Sequence, residues 1–380
     1  MSIRDQIEDV LRGWDAYERA RGTTPVIDYD FAPATPDEVA PIGSRLEAYT
    51  RLGELRTDDP VLTSRLASDL AYLRALLGER APLDGYLRDT QGCGGHGWSD
   101  EQIAAAGNTA REHLADLGIG WDAATIDLLE HQEGQLPVDD APDAIRAAAA
   151  EHEAAMRELV GTDAPFHLTV ETTEVDAYWA YWLDGVRSEA RLRLNLRKAR
   201  FTEVMARQFA LHEILGHALQ GASLSHVAGG ADVPWVRILS VHAPQSTLFE
   251  GLAQALPLFL TPEDKPLIAR VRLTHYLQLV RAELHLAVNA GTPITECAAI
   301  ARSRVPFWND EAIGDNLADR SVDPLLRSYL WSYPAGVDWF VALADQAPEL
   351  GRTVLREAYR APLSPAELTA LWPAGPRIGG

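Results

Sequence analysis

The stretch FALHEILGHALQG, from Phe209 to Gly221, places a His, a Glu and a second His within an otherwise apolar run. The familiar helical zinc motif is H-E-x-x-H, in which the two His are four residues apart. His212 and His217 are five residues apart here. Residues four apart on an α-helix differ by roughly 40° in direction, and residues five apart differ by roughly 140°. A regular α-helix would therefore splay the two imidazoles.

A local change in helical geometry can bring both imidazoles back to one face. A single-turn π-bulge absorbs one extra residue, and such bulges are frequent at functional sites. Gly216, just before the second His, is conformationally permissive. We therefore predict a π-type widening near Gly216. The alternative is that two core His with satisfied hydrogen bonds lie on a buried helix.

A third zinc ligand is expected downstream, since catalytic zinc takes three protein ligands and keeps one open position. Glu250, in STLFEGLAQALPLF, is a carboxylate on an otherwise apolar helical stretch, which is unfavourable unless it is paired or bound to metal. We predict that His212, His217 and Glu250 bind one Zn²⁺ per chain. Glu213 then becomes the general base, which takes a proton from a zinc-activated water and delivers it to the leaving amine.

The overall charge argues against nucleic acid as a partner. The 380 residues carry 34 basic and 55 acidic side chains, a net charge of −21, which repels phosphate backbones. One basic cluster, Arg191 to Phe201, is either a solvated face or a positive edge beside a binding site. No apolar run is long enough to span a bilayer and the N-terminus lacks a signal-peptide core, so we expect no membrane partner and a cytoplasmic location.

Only two cysteines are present, Cys93 and Cys297, which excludes a disulfide framework and a Cys-rich zinc site. Cys93 stands beside His96 in QGCGGHGW, where the four glycines favour a turned or mobile loop over half of a metal site.

Hydrophobic periodicity predicts a mainly α fold with a small β-sheet of about three strands before the metal-binding helix. Helical spacing covers five segments before residue 162: Arg4–Ala20, Asp37–Leu55, Leu62–Glu79, Ser99–Gly118 and Asp139–Gly161. Alternating or β-branched runs predict three strands, in Phe166–Glu174, Ala177–Gly185 and Ala190–Leu196. The last of these is also a candidate edge strand for an extended substrate. We expect an N-terminal helical region over 1–160 and a zinc-binding catalytic region over 161–380, forming one compact unit with a central cleft.

Two local patterns resemble known peptidases. HEILGH is similar to the H-E-x-x-G-H hexapeptide of the dipeptidyl peptidase III family, zinc peptidases that accommodate the same extra residue. A longer stretch, from Ala177 to Phe340, resembles the bacterial DUF885 family of zinc metallopeptidases, which are mostly helical. LHEILGHALQ resembles the zinc motif of that family, and LFEGLAQAL resembles its Glu-Gly-Trp-Ala-Leu motif, whose Glu is the third ligand.

The DUF885 resemblance implies further site residues. Asn195 stands where the family has an Asn at the end of a strand, and His285, in LVRAELHLAVNAG, where it has a His near the site. RSYLWSYPAGVDWF resembles a segment that ends near an active-site Tyr, which implies Tyr333. His285 and Tyr333 are thus candidates for stabilising the oxyanion. Where the family has an Asp four residues before its helical His, this chain has Arg281, a candidate substrate contact.

The expected activity is that of a zinc-dependent, gluzincin-type hydrolase acting on a peptide or related amide. His242, eight residues before Glu250, is either a substrate contact or a loop residue. The family's Trp after Glu-Gly is Leu252 here, and this departure, like Arg281, leaves open a small non-peptide metabolite as substrate of a hydrolase or lyase. A catalytically silent helical scaffold is the third alternative, against which the intact Glu213 argues. Oligomeric state is not predicted.

Overall fold

The computed structural model describes residues 1–35, 39–176 and 180–380, and most of them are helical, which confirms the predicted mainly α class. The helices before the main strands are α1 Ile3–Ala20, α2 Arg45–Glu54, α3 Pro60–Leu76, α4 Leu83–Gln91, α5 Asp100–Asp116, α6 Thr125–Glu133 and α7 Ala141–Val160. The helices after them are α8 Glu203–Phe209, a π-helix Ala210–Ala218, α9 Leu219–Gly230, α10 Ser246–Ala255, α11 Pro257–Leu260, α12 Lys265–Asn289, α13 Ile294–Arg304, α14 Asp310–Asp319, α15 Pro324–Tyr329, α16 Ser332–Gln346, α17 Pro348–Ala358 and α18 Pro365–Leu371.

Local sequence signals explain where several helices begin and end. Ser99 caps α5 through a capping box with Gln102, and Gly161 ends α7 in the left-handed conformation, as the sequence predicts. The helix expected from Asp37 begins only at Arg45, where the Ser44 side chain accepts from the Glu47 backbone N–H. The first two residues of that expected helix lie outside the described residues. Pro41 disfavours helical geometry in the residue before it, and Ser44 supplies a better start.

A mixed sheet supports one side of the π-helix. The strands are β1 Tyr29–Asp30, β2 Gln135–Leu136, β3 His167–Thr173, β4 Tyr181–Val186, β5 Glu189–Asn195, β6 Phe201–Thr202 and β7 Ile238–Leu239. The main sheet has the order β3-β5-β4-β1-β7, and β2 pairs with β6 separately.

The three longer strands β3, β4 and β5 occupy the predicted position before the metal-binding helix. The strand β5 lies between β3, its parallel neighbour, and β4, its antiparallel neighbour. The expectation that this strand is an edge is therefore wrong, because both of its hydrogen-bonding sides are already paired. Residues 177–179, which begin the predicted second strand, lie outside the described residues.

The largest core packs the π-helix between α7, α10 and the sheet. Ile145 of α7, Leu215 of the π-helix and Leu252 of α10 are all fully buried in this one cluster, together with Trp331 and Trp339. The cluster draws on both sides of residue 160, and the predicted division of the chain there stays a prediction. Within the described residues, none of the helices has the length and apolar character required to cross a membrane.

Candidate metal centre

The HEILGH segment lies on the π-helix Ala210–Ala218, so the predicted widening is present and extends over nine residues. Gly216 is not in the left-handed region of backbone conformation. A Cβ atom at Gly216 would lie 2.8 Å from the Cβ of Ala253 in α10. The glycine is therefore needed for space: it lets the π-helix approach the helix that carries Glu250.

The π-helix brings His212 and His217 onto one face, opposite Glu250. Their Nε2 atoms are 3.1 Å apart, and Oε2 of Glu250 lies 3.5 Å from Nε2 of His212 and 3.8 Å from Nε2 of His217. Ligands at the tetrahedral zinc distances of nitrogen and oxygen are separated by about 3.3 Å. These three residues form a group that could hold a metal ion.

The donor set fits a metal. Oε2 of Glu250 is buried, and within the described ranges no group hydrogen-bonds to it. It points toward two ring nitrogens that face each other, an arrangement that needs a cation between them or a proton on one of them. Two imidazoles and one carboxylate form a ligand set used by catalytic zinc sites.

The pKa values of the two carboxylates at the centre, Glu250 and Glu213, are shifted in opposite directions. Burial alone would raise the pKa of Glu250, but His212 and His217 beside it hold that pKa well below its usual range. Burial raises the pKa of Glu213, whose carboxylate lies 3.7 Å from Nε2 of His212. Glu250 is thus kept as an anion suited to ligation, and Glu213 has the greater proton affinity of the two.

A tyrosine pair holds the other oxygen of Glu250. The Tyr329 hydroxyl donates to Oε1 of Glu250 at 2.6 Å and lies 2.8 Å from the Tyr333 hydroxyl. Burial raises the pKa of both phenols well above the ordinary value, so both remain hydroxyl donors. Sequence reasoning selected Tyr333 and missed Tyr329. A signal was present, because the sequence places the two four residues apart, a spacing that puts helical residues on one face. In the structure Tyr329 ends α15 and Tyr333 lies in the first turn of α16.

Two cavities meet at the centre. Both are lined by Tyr181, His212, Glu213 and Tyr333. The first, here called the cationic cavity, has a volume of about 600 Å³ and also contains Lys198, Arg200, Arg270, Arg281 and Arg320 in its wall. The second, the apolar cavity, has a volume of about 500 Å³ and contains Pro25, Tyr29, Trp182, Leu183, Phe249 and Leu325. Lys198 and Arg200 come from the basic cluster, so part of that cluster does border the site.

Among the remaining predicted site residues, only Arg281 lies in a cavity wall at the centre. The side chain of Asn195 is buried and bonds the backbone of Val175 through both its oxygen and its nitrogen. The His242 ring bonds Asp69 at 2.8 Å and stacks on Tyr72, with ring centroids 4.4 Å apart.

His285 is also buried, edge-on to Trp331 with centroids 5.5 Å apart. The structure does not bring Asn195, His242 or His285 to the cavity walls described above. Their predicted roles stay predictions.

No protein-family model and no curated protein matches this sequence. Among solved structures, a candidate lipoprotein from Colwellia psychrerythraea superposes on 88% of this chain with a TM-score of 0.51 and 13% sequence identity. The chain spans 57% of the length of that protein. This likeness shows a shared fold.

Two further structures are more distant. The M32 carboxypeptidase from Deinococcus radiodurans R1 has a TM-score of 0.40 and 15% identity, over 100% of this chain and 77% of its own. Metallocarboxypeptidase 1 from Trypanosoma cruzi has a TM-score of 0.36 and 10% identity, over 99% of this chain and 76% of its own. Both scores are below 0.5, so the fold comparison rests on the first structure. The DUF885 and dipeptidyl peptidase III resemblances stay predictions.

Proposed function

We propose that this chain is a zinc-dependent hydrolase that cleaves a peptide or related amide bond. The observation that carries the proposal is the placement of three ligand atoms at zinc-like spacing, with Glu213 beside them at the junction of two cavities. A scaffold with a structural zinc has no use for a buried carboxylate in that position. When bound, zinc supplies Lewis-acid chemistry, which acidifies water and polarises a carbonyl.

Glu213 and Tyr333 supply the proton transfer and the hydrogen bond that the reaction also requires. Glu213 accepts the proton of the attacking water and passes it to the leaving amine, a role that its raised pKa favours. We assign the donation of a hydrogen bond to the developing oxyanion to Tyr333, because its hydroxyl borders both cavities whereas His285 packs against Trp331.

The cavity volumes favour a small substrate. Cavities of about 600 and 500 Å³ lie within the usual range for sites that enclose a small molecule. We therefore propose a short peptide or a small amide as substrate, with the scissile bond at Glu213 and one part of the molecule in each cavity.

Metal analysis of purified protein tests the site. We expect about one zinc per chain in the wild type and loss of zinc in His212→Ala, His217→Ala and Glu250→Ala. His131→Ala, at an exposed position, is the matched control and should retain zinc. A wild-type protein that binds no zinc would refute the proposal.

A second experiment separates catalysis from metal binding. Glu213→Gln should retain zinc and lose activity by about 10²–10⁴-fold, since the base is not a ligand. Hydrolysis is measured by mass spectrometry on a library of short peptides and acylated amino acids. Activity of the Glu213→Gln protein equal to that of the wild type would remove Glu213 from the mechanism.

A further inference from the structure

Arg281 and Arg320, in the wall of the cationic cavity, form no salt bridge with an acidic side chain of the described residues. Arg320 is 5% exposed and Arg281 is partly buried, and neither forms an ion pair with any carboxylate in the described part of the chain. Arg270 in the same wall does have an acidic partner, because it forms a salt bridge with Glu133. Buried guanidinium groups ordinarily form ion pairs, so the lack of a salt bridge at Arg281 and Arg320 within the described residues requires an explanation.

One amide side chain orients both arginines. Oδ1 of Asn316 accepts from Nε of Arg281 at 3.0 Å and from Nη1 of Arg320 at 3.2 Å. The Arg281 guanidinium also lies over the Trp308 ring, 5.6 Å from its centroid. A guanidinium has five N–H donors, and these contacts use only part of each set. Both side chains line the cavity, and none of their nitrogens is among the fully buried atoms without a partner in the described residues, so the remaining donors are accessible to a ligand.

The charge of this cavity is the reverse of the charge of the whole protein. The chain has a net charge of −21, yet this wall carries five cationic side chains against Glu213 and Asp319. Burial lowers the pKa of Arg281 to about 10, and burial together with the nearby Arg281 lowers that of Arg320 to about 9. An anion bound between the two guanidinium groups would offset both their burial and their mutual repulsion.

We propose that Arg281 and Arg320 bind a carboxylate of the substrate. Guanidinium groups bind carboxylates through paired N–H donors, and the shared contact with Oδ1 of Asn316 holds the two groups close together. The apolar cavity on the other side of Glu213 then takes an apolar group. The substrate class is an amide with a carboxylate on one side of the scissile bond and an apolar group on the other, an assignment that rests on the proposed hydrolase function.

Calorimetric binding of benzoylglycine to the metal-free protein tests the assignment. Benzoylglycinamide is the neutral control ligand, and removing the metal prevents the carboxylate from binding zinc instead. We expect the acid to bind at least tenfold more tightly than the amide, and its affinity to fall as salt is added. Equal affinities for the two ligands would overturn the proposal.

Matched variants locate the site. Arg281→Gln and Arg320→Gln should each weaken benzoylglycine binding at least tenfold and leave benzoylglycinamide binding within twofold. Arg302→Gln removes an exposed arginine that is paired with Asp310, and it should change neither affinity. Unchanged acid binding in both cavity variants would overturn the proposal. If these variants do not fold, the comparison of acid and amide on the wild type decides it.

Three further outcomes distinguish the alternatives. Phenyl phosphate binding more tightly than benzoylglycine would overturn the carboxylate assignment in favour of a phosphoryl group. Because the binding experiment uses neither metal nor turnover, it measures carboxylate binding by Arg281 and Arg320 independently of hydrolysis. Acid-selective binding without hydrolysis would count against the proposed function alone, and peptide hydrolysis without acid-selective binding would count against the arginine pair alone.

Discussion

At the scale of the residue, the centre depends on how Glu250 is held. One of its oxygens faces the two imidazoles, and the other accepts from the Tyr329 hydroxyl at 2.6 Å. Groups that hydrogen-bond to a ligand fix its orientation, and their loss typically lowers metal affinity by 10–100-fold. If Glu250 binds the metal as proposed, Tyr329 is a positioning residue that acts through it.

Replacing this hydroxyl tests the role directly. Tyr329→Phe should weaken zinc binding by about 10–100-fold in competition with a chelator, because Glu250 loses the donor that orients it. Tyr276→Phe is the matched control, since that buried hydroxyl donates to the backbone of Arg304 and its removal should leave zinc affinity unchanged. Equal zinc affinity in the Tyr329→Phe and wild-type proteins would refute the role.

The residues of the candidate site could be predicted from the sequence only where the pattern was local or resembled a known motif. Short spacings and an acidic residue on an apolar stretch predicted the grouping of His212, His217 and Glu250, which the structure brings together. The environment of His242 could not be predicted, because its partner Asp69 is 173 residues away in the sequence. Asn195 was selected from the DUF885 resemblance, which stays a prediction, and its side chain bonds the backbone of Val175, 20 residues earlier. Such contacts follow from tertiary structure, which no local pattern contains.

At the scale of the element, glycines set how closely the helices of the site approach. A Cβ at Gly251 in α10 would lie 2.4 Å from the backbone of Gly336 in α16. These helices carry Glu250 and Tyr333, so their close contact places Glu250 beside the tyrosine pair. The Glu-Gly pair in LFEGLAQAL thus combines the proposed ligand with the space that its helix requires.

Filling that space should damage both stability and metal binding. Gly251→Ala should lower the free energy of unfolding by about 1–3 kcal/mol, because the new methyl group meets backbone that cannot rotate away. It should also weaken zinc binding, since the helices must separate. Gly314→Ala, in α14 with nothing within 4 Å of its added Cβ, should instead raise stability by about 0.5–1 kcal/mol. Urea unfolding and zinc competition measure both effects, and equal behaviour of the two variants would contradict the argument.

The elements themselves were largely predictable because their signals are periodic. The π-type geometry follows from the need to place two His on one face, although its extent over nine residues does not. The order of the strands could not be predicted, because hydrophobic alternation in Ala190–Leu196 shows that a strand is half-buried and not which strands flank it. The internal position of this strand in the sheet is set by parallel pairing with β3 and antiparallel pairing with β4.

At the scale of the whole molecule, His285 links folding to pH. It is 1% exposed, and its pKa is lowered to about 3 by burial and by the nearby Arg320 and Arg327. The ordinary pKa of His is about 6.5, so the unfolded chain binds a proton in a pH range where the folded chain does not. Its neutral form therefore supports folding above about pH 6.5, and that support declines as pH falls toward 3.

Replacing His285 with Phe should flatten this dependence. An aromatic ring retains the edge-on contact with Trp331 and does not take up a proton in the unfolded chain. Between about pH 6 and 4, the difference in unfolding free energy between wild type and variant should change by about 1.4 kcal/mol per pH unit, with the wild type losing more as pH falls. Urea unfolding of the metal-free proteins across this range measures the slope, which avoids the separate effect of acid on metal binding.

His131→Gln, at an exposed position, is the control and should keep the wild-type slope. Parallel stability curves for wild type and His285→Phe would mean that the pKa of His285 is the same in the folded and the unfolded protein, which would contradict the argument.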